Sequence, residues 1–109
     1  KIGPINWIHR RTGFGRIIGK EYWSNGFGKE VVKLLVRYIF DQLNLDRVIE
    51  HNISDNIKAV ESNVKAGLDN EGKIKSYVYA DGEYKDVVIV GLTRERYLKK
   101  KKSGVFNCI

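Results

Sequence analysis

The sequence predicts an α/β (α+β) fold: a mixed, mostly antiparallel sheet flanked by helices, in the order β-β-α-β-α-β-β with a short helix after it. Three observations carry this. The run from Phe27 to Leu43 is apolar at helical spacing. Two β-rich runs meet at Asp81-Gly82, a pair that supplies the positive φ angles of a type I′ hairpin turn. Strand-like and helix-like segments alternate between these landmarks with no linker or repeat, which favours a sheet covered by helices.

Taken in order, "IGPINWI" and "GFGRIIG" alternate small and apolar residues around the turn-prone "HRRTG", predicting a strand pair near Ile2–Ile8 and Phe14–Gly19. From Phe27 to Leu43, Glu30, Lys33, Arg37, Asp41 and Asn44 recur at three- and four-residue steps, with Val31, Val32, Leu35, Ile39 and Leu43 opposite them. "DRVIEHNI", Asp46 to Ile53, reads as a strand. Asp55 is the expected N-cap of a second helix, Asn56 to Ala66, with Ile57, Val60 and Val64 on its apolar face and Gly67 as its stop. "KIKSYVYA" and "EYKDVVIVGL" form the hairpin, and because "DVVIV" is apolar on both faces, its strand is expected inside the sheet. A short basic helix near Arg94–Lys100 closes the order.

Composition bounds the function. A chain of 109 residues is one domain at most, and 42% hydrophobic residues with a single proline mark a chain that folds. The net charge is +7, but four of those charges are Lys99–Lys102, so the body carries about +3 (7 minus 4) and is only mildly basic. That run is expected to be a solvated tail, and nucleic acid is not an expected partner. Cys108 has no second cysteine to pair with, and the sequence shows neither a signal peptide nor a long apolar span. The expected setting is a reducing cytoplasm, with no membrane and no metal.

The stretch "GKEYWSNGFGKEVVKLLVRYIF" puts Gly26 and Gly28 where a helix must begin. A helix start leaves backbone N–H groups unpaired and concentrates about half a positive charge, so anions bind there. Glycines remove side chains that would hold a phosphate away, and Lys29 adds charge. The stretch is a candidate diphosphate cradle; a tight strand-to-helix turn would use the same residues. It lacks the ending of a Walker loop and the third glycine of a Rossmann fingerprint.

Three motifs stand in order: Ile18-Gly19 followed by Tyr22-Trp23-Ser24-Asn25-Gly26-Phe27-Gly28 and Glu30; then Asp55-Asn56, Lys65, Gly67 and Glu71-Gly72; then Asp81-Gly82, Tyr84, Asp86, Leu92, Glu95 and Tyr97. Together they resemble the GNAT superfamily of acetyl-CoA-dependent N-acetyltransferases, in the branch that acetylates ribosomal-protein N-termini. The resemblance covers about Ile2 to Tyr97. Departures are Ser24 for a glycine, Ala59 for a serine, Leu68 in the usual "GF", and Asn63 where many members place a tyrosine general acid. These departures bear on catalysis more than on diphosphate binding. Family members carry a first strand and one or two helices ahead of the strand at Ile2, so residues 1–98 are expected to be the C-terminal portion of such a domain and 99–109 a basic tail. An uncovered sheet is expected to pair with another copy, giving a homo-oligomer.

What the resemblance implies is acetyl transfer from acetyl-CoA to a primary amine of a protein N-terminus, a polyamine or another small amine. The runner-up is a non-catalytic module of this fold that binds CoA or an acidic partner. The strand matched by Phe14–Gly19 would splay from that matched by Arg47–Ile53, with the pantetheine arm on the backbone of Ile17 and Ile18. The loop Trp23, Ser24, Asn25, Gly26, Phe27, Gly28 and Lys29 would hold the diphosphate. Asn56 would bond the cofactor arm or serve as a local cap, and Lys65 would reach the adenosine phosphate or stay solvated. Glu50, in an otherwise apolar strand beside the splay, is the candidate base because burial raises a carboxylate's pKa; pairing with an arginine is its bland alternative. His51 would face the other side of that strand. Trp7, Tyr22, Trp23 and Tyr38 fall on separate elements and are expected to pack in core and loops.

Overall fold

The computed structural model describes residues 3–14 and 27–106, and over these the expected fold class holds. Strand β1 (Arg11–Thr12) is followed by helix α1 (Phe27–Arg37), β2 (Arg47–Ile53), α2 (Ile57–Lys65), β3 (Asp69–Ala80), β4 (Glu83–Thr93) and α3 (Arg94–Lys102). The sheet order is β1-β2-β4-β3, with β1 parallel to β2 and the other pairs antiparallel. The last strand therefore lies between two others. That is why "DVVIV" can be apolar on both faces, and Val87 and Val90 are buried.

The first hairpin turns earlier than expected. Asn6 and Arg11 exchange backbone hydrogen bonds of 2.9 and 3.1 Å, and Gly3 N–H donates to the Gly13 carbonyl at 2.8 Å. Trp7–Arg10 form the turn, closed by the His9 N–H on Asn6 Oδ1 at 3.0 Å and by Arg10 at φ 55°. Trp7 and Ile8 are accordingly 61% and 88% exposed, in the turn and not in the expected strand. Thr12 is buried and donates its hydroxyl to the Pro4 carbonyl at 3.0 Å, tying the two arms together. Ile2 and the expected strand residues 15–19 lie outside the described residues.

Helix α1 ends in a π turn, Tyr38–Gln42. Its i→i+5 bonding admits one extra residue, so the adjacent Ile39 and Phe40 both enter the core beside Val36. Of the expected face, Val31, Val32, Leu35, Ile39 and Leu43, only Ile39 is fully buried; Val32, Leu35 and Leu43 pack half-buried against the core, and Tyr38 is exposed. Phe40 stacks on Tyr97 of α3 with ring centroids 4.4 Å apart.

Helix α2 corrects two expectations. Its N-cap position is Asn56, without a side-chain capping bond, while Asp55 pairs with Lys85. Its buried residues are Ala59 and Asn63, with Val60 half-buried, whereas Ile57 and Val64 are 63% and 42% exposed. The rotation is set at the far end. Gly67, at φ 112°, reverses the chain as expected, and the Leu68 N–H bonds the Asn63 carbonyl at 3.1 Å, which turns Ala66 and Leu68 inward.

The hairpin between β3 and β4 turns at Asp81 (φ 54°) and Gly82 (φ 81°), the two positive angles a type I′ turn requires. Lys99–Lys102, set apart in the sequence as a tail, are the end of α3. There Lys100 Nζ bonds the Gly67 carbonyl and Asp69, both at 2.7 Å, and Lys101 Nζ reaches Asp41 at 3.1 Å. Phe106 beyond them is 1% exposed against Tyr97, so the packed structure continues past the basic run. Opposite residues of antiparallel strands share a face. Val48, Val90 and Leu92 on one face meet Val36, Ile39, Phe40, Tyr97 and Phe106 in a single core.

Candidate active site

Strand β2 supplies the center of the site. The register pairs Val48 with Leu92, Glu50 with Val90 and Asn52 with Val88, so Glu50 and Asn52 stand on the face that carries the core. Two polar residues thus continue a row begun by a fully buried valine. The β1–β2 register is Arg11↔Arg47 and Thr12↔Val48. Immediately beyond it the Phe14 N–H donates to Glu50 Oε2 at 2.6 Å. A side-chain carboxylate has taken up a backbone donor of the neighbouring strand.

Burial pushes the Glu50 carboxyl from its ordinary 4.5 up to about 7, with the Phe14 N–H pulling the other way. Among the described residues no arginine pairs with Glu50. Arg47 on the opposite face makes a two-pronged pair with Glu71. Glu71 is the extra residue of a β-bulge between Asn70 and Gly72, and a Cβ on Gly91 would meet its Oε1 at 2.8 Å. The "EG" pair of the sequence is therefore a bulge that lays an ion pair across β4. His51 lies on that same opposite face, as expected, and stacks on Tyr77 with centroids 6.2 Å apart.

Asn52 is the residue the sequence reading passed over. Its Nδ2 is buried and has no hydrogen-bond partner among the described residues, and an unmatched buried donor costs about 1–3 kcal/mol. Period-two counting from Val48 through Glu50 would have found it. Asn63 also is buried, on α2, so the position without the tyrosine is an interior one.

Among the cofactor candidates, Phe27, Gly28 and Lys29 form the first turn of α1. Gly28 is helical, so a glycine there gives access to the backbone and is not needed for a positive φ. Asn56 precedes α2 half-buried, its side chain making no cap bond, and Lys65 ends that helix in solvent. Ile17, Ile18, Trp23, Ser24, Asn25 and Gly26, with Tyr22, lie outside the described residues. Among the described residues no group of three or more His, Cys, Asp or Glu could hold a metal, and no helix is long and apolar enough to cross a membrane.

Residues 2–69 match the family model described as Acetyltransferase (GNAT) domain. The spermidine N(1)-acetyltransferase of Vibrio cholerae is 31% identical over 98 residues, 90% of this chain and 57% of the relative. That of Escherichia coli K12 is 30% identical over 103 residues, 94% of this chain and 55% of the relative. Among solved structures, the spermidine/spermine N-acetyltransferase SpeG from Vibrio cholerae superposes with a TM-score of 0.76 at 31% identity, over 88% of this chain and 56% of that one. The chain spans a little over half the length of the curated relatives it matches. With the strand order, the bulge and the hairpin in place, the chain belongs to the GNAT acetyltransferase family.

Proposed function

We propose that the protein transfers an acetyl group from acetyl-CoA to a primary amine, with Glu50 as the proton acceptor. The observation that carries this is the Glu50 carboxyl: held by the Phe14 N–H just past β1, and pushed to about 7, it sits in the range a base needs at neutral pH. Charged, it takes a proton from the amine directly or through one water. Its place on the core face limits the water that would compete for it.

Acetyl-CoA fits the residues present on two observations. Helix α1 begins at Phe27–Gly28, which leaves its first-turn N–H groups free of helical partners and able to receive an anion. The buried Asn52 Nδ2 is a donor in want of an acceptor such as an amide carbonyl. When bound, acetyl-CoA supplies the activated acyl group. The chain's part is to hold it through Gly26–Lys29, Ile17, Ile18 and Asn56, with Lys65 near the adenosine phosphate. The relatives named for spermidine favor a polyamine acceptor over a protein N-terminus. The lone Cys108 supports a reducing, cytoplasmic setting, and the edge strand β3, with Tyr77 and Tyr79 exposed, supports a homo-oligomer.

A second reading is a CoA-binding module without turnover, favored by Asn63, which offers no ionisable proton donor at its buried position. Steady-state rates with acetyl-CoA and spermidine across pH separate the two. Glu50→Gln is expected to lower kcat/KM by about 100-fold and to remove the limb near pH 7. An unchanged pH profile in that variant refutes Glu50 as the base. CoA that raises the melting temperature of a chain with no turnover selects the second reading, and no thermal shift at millimolar CoA sinks both.

A further inference from the structure

Just past β1, Gly13 lies tight against β2. A Cβ built there would fall well inside van der Waals contact of two atoms at once, the Ile49 carbonyl oxygen and Glu50 Oε2, with the Glu50 carboxyl carbon 3.5 Å away. Neither neighbour yields cheaply. The first is backbone, and the second is fastened to the Phe14 N–H at 2.6 Å. Gly13 is not among the glycines with positive φ, so its conformation does not call for glycine. Its use is the close approach.

We propose that Gly13 is the positioning residue for Glu50: its bare backbone and the adjoining Phe14 N–H form a slot that seats the carboxylate between the two strands. Any side chain at 13 would occupy the volume the carboxylate fills, and would push β1 off the Ile49 carbonyl as well. The seating stands on geometry alone, and its catalytic consequence rests on the proposed role of Glu50. Thr12, buried and bonded to the Pro4 carbonyl, fixes the residue before the slot. The sheet on the other side is fixed by Val90 opposite Glu50. The carboxylate thus has a defined place before any ligand arrives.

The Phe14 amide proton reports the slot directly. In the full chain, labelled at phenylalanine nitrogen, its chemical shift is expected to titrate with a midpoint near pH 7 as Glu50 changes charge; a shift that stays flat from pH 5 to 9 overturns the proposal. In Gly13→Ala the titration is expected to vanish, and kcat to fall by about 100-fold through misplacement of the base. A folded Gly13→Ala chain whose Phe14 amide still titrates near 7 also overturns it. If that variant does not fold, Glu50→Asp answers the same question, because its carboxylate is one methylene short of the slot. Loss of the titration supports the slot and persistence defeats it. A slot confirmed by the amide, with a pH–rate profile untouched in Glu50→Gln, would sink the catalytic reading and leave the seating intact.

Discussion

Glu50→Gln is expected to stabilize the protein at alkaline pH while it removes activity. The sign follows from linkage. The carboxyl titrates at 4.5 unfolded and about 7 folded, so between those values the folded chain binds more protons and stability falls as pH rises. Below pH 4.5 both states are protonated and the wild type bears no penalty. Above about 7 it holds a charge in a place that disfavors it. At about 1.4 kcal/mol per pH unit the gap corresponds to about 3 kcal/mol. Partial access to water screens this, which leaves about 2 kcal/mol. Glutamine keeps an oxygen for the Phe14 N–H and carries no charge, so it escapes the penalty, less about 1 kcal/mol if its new N–H groups lack partners. The assay is urea unfolding of both chains at several values between pH 4 and 9. The quantity to follow is the difference in unfolding free energy, which cancels the other titrating groups. It is expected to move in favor of the variant by about 2 kcal/mol, with most of the change between pH 4.5 and 7. A difference that is flat with pH, or that moves toward the wild type, refutes a buried carboxyl raised by desolvation.

Three further outcomes are expected. Gly67→Ala should cost about 2–4 kcal/mol in urea unfolding, since φ is 112° and a Cβ would meet the Phe106 ring at 2.7 Å; a cost under about 1 kcal/mol would mean that α2 does not end against that ring. Tyr97→Phe should lose about 1–2 kcal/mol, or about 4–8 °C in Tm per kcal/mol, because the hydroxyl of the buried Tyr97 donates to Asp41 at 2.9 Å in a part-buried hydrogen bond. Asp41 keeps Lys101, so a larger loss would point to a role beyond one hydrogen bond. Light scattering at micromolar concentration is expected to show a dimer or larger oligomer formed through the exposed edge β3; a stable monomer would contradict the assembly.

What was legible in the sequence was local. The helical period from Phe27, the stop at Gly67 and the Asp81-Gly82 turn each depend on a few adjacent residues and on backbone angles those residues favor, and the structure has all three. The apolar "DVVIV" announced an interior strand for a similar reason, because a strand with two apolar faces has nowhere else to go. Tertiary packing decided what periodicity leaves degenerate. It chose which side of α2 is buried, taking Ala59 and Asn63 over Ile57 and Val64, because the close turn at Gly67 sets that helix's rotation. It widened α1 into a π turn so that Phe40 could lie on Tyr97, and drew Lys99–Lys102 into α3 through Asp41, Asp69 and the Gly67 carbonyl. For the candidate site, the sequence singled out Glu50 as a lone carboxylate in an apolar strand. Only the folded sheet brings Glu50 to the Phe14 N–H, 36 residues away in the chain, and leaves Asn52 Nδ2 buried without an acceptor among the described residues. Contacts of that kind depend on the distance between two strands, and no short stretch of sequence encodes that distance.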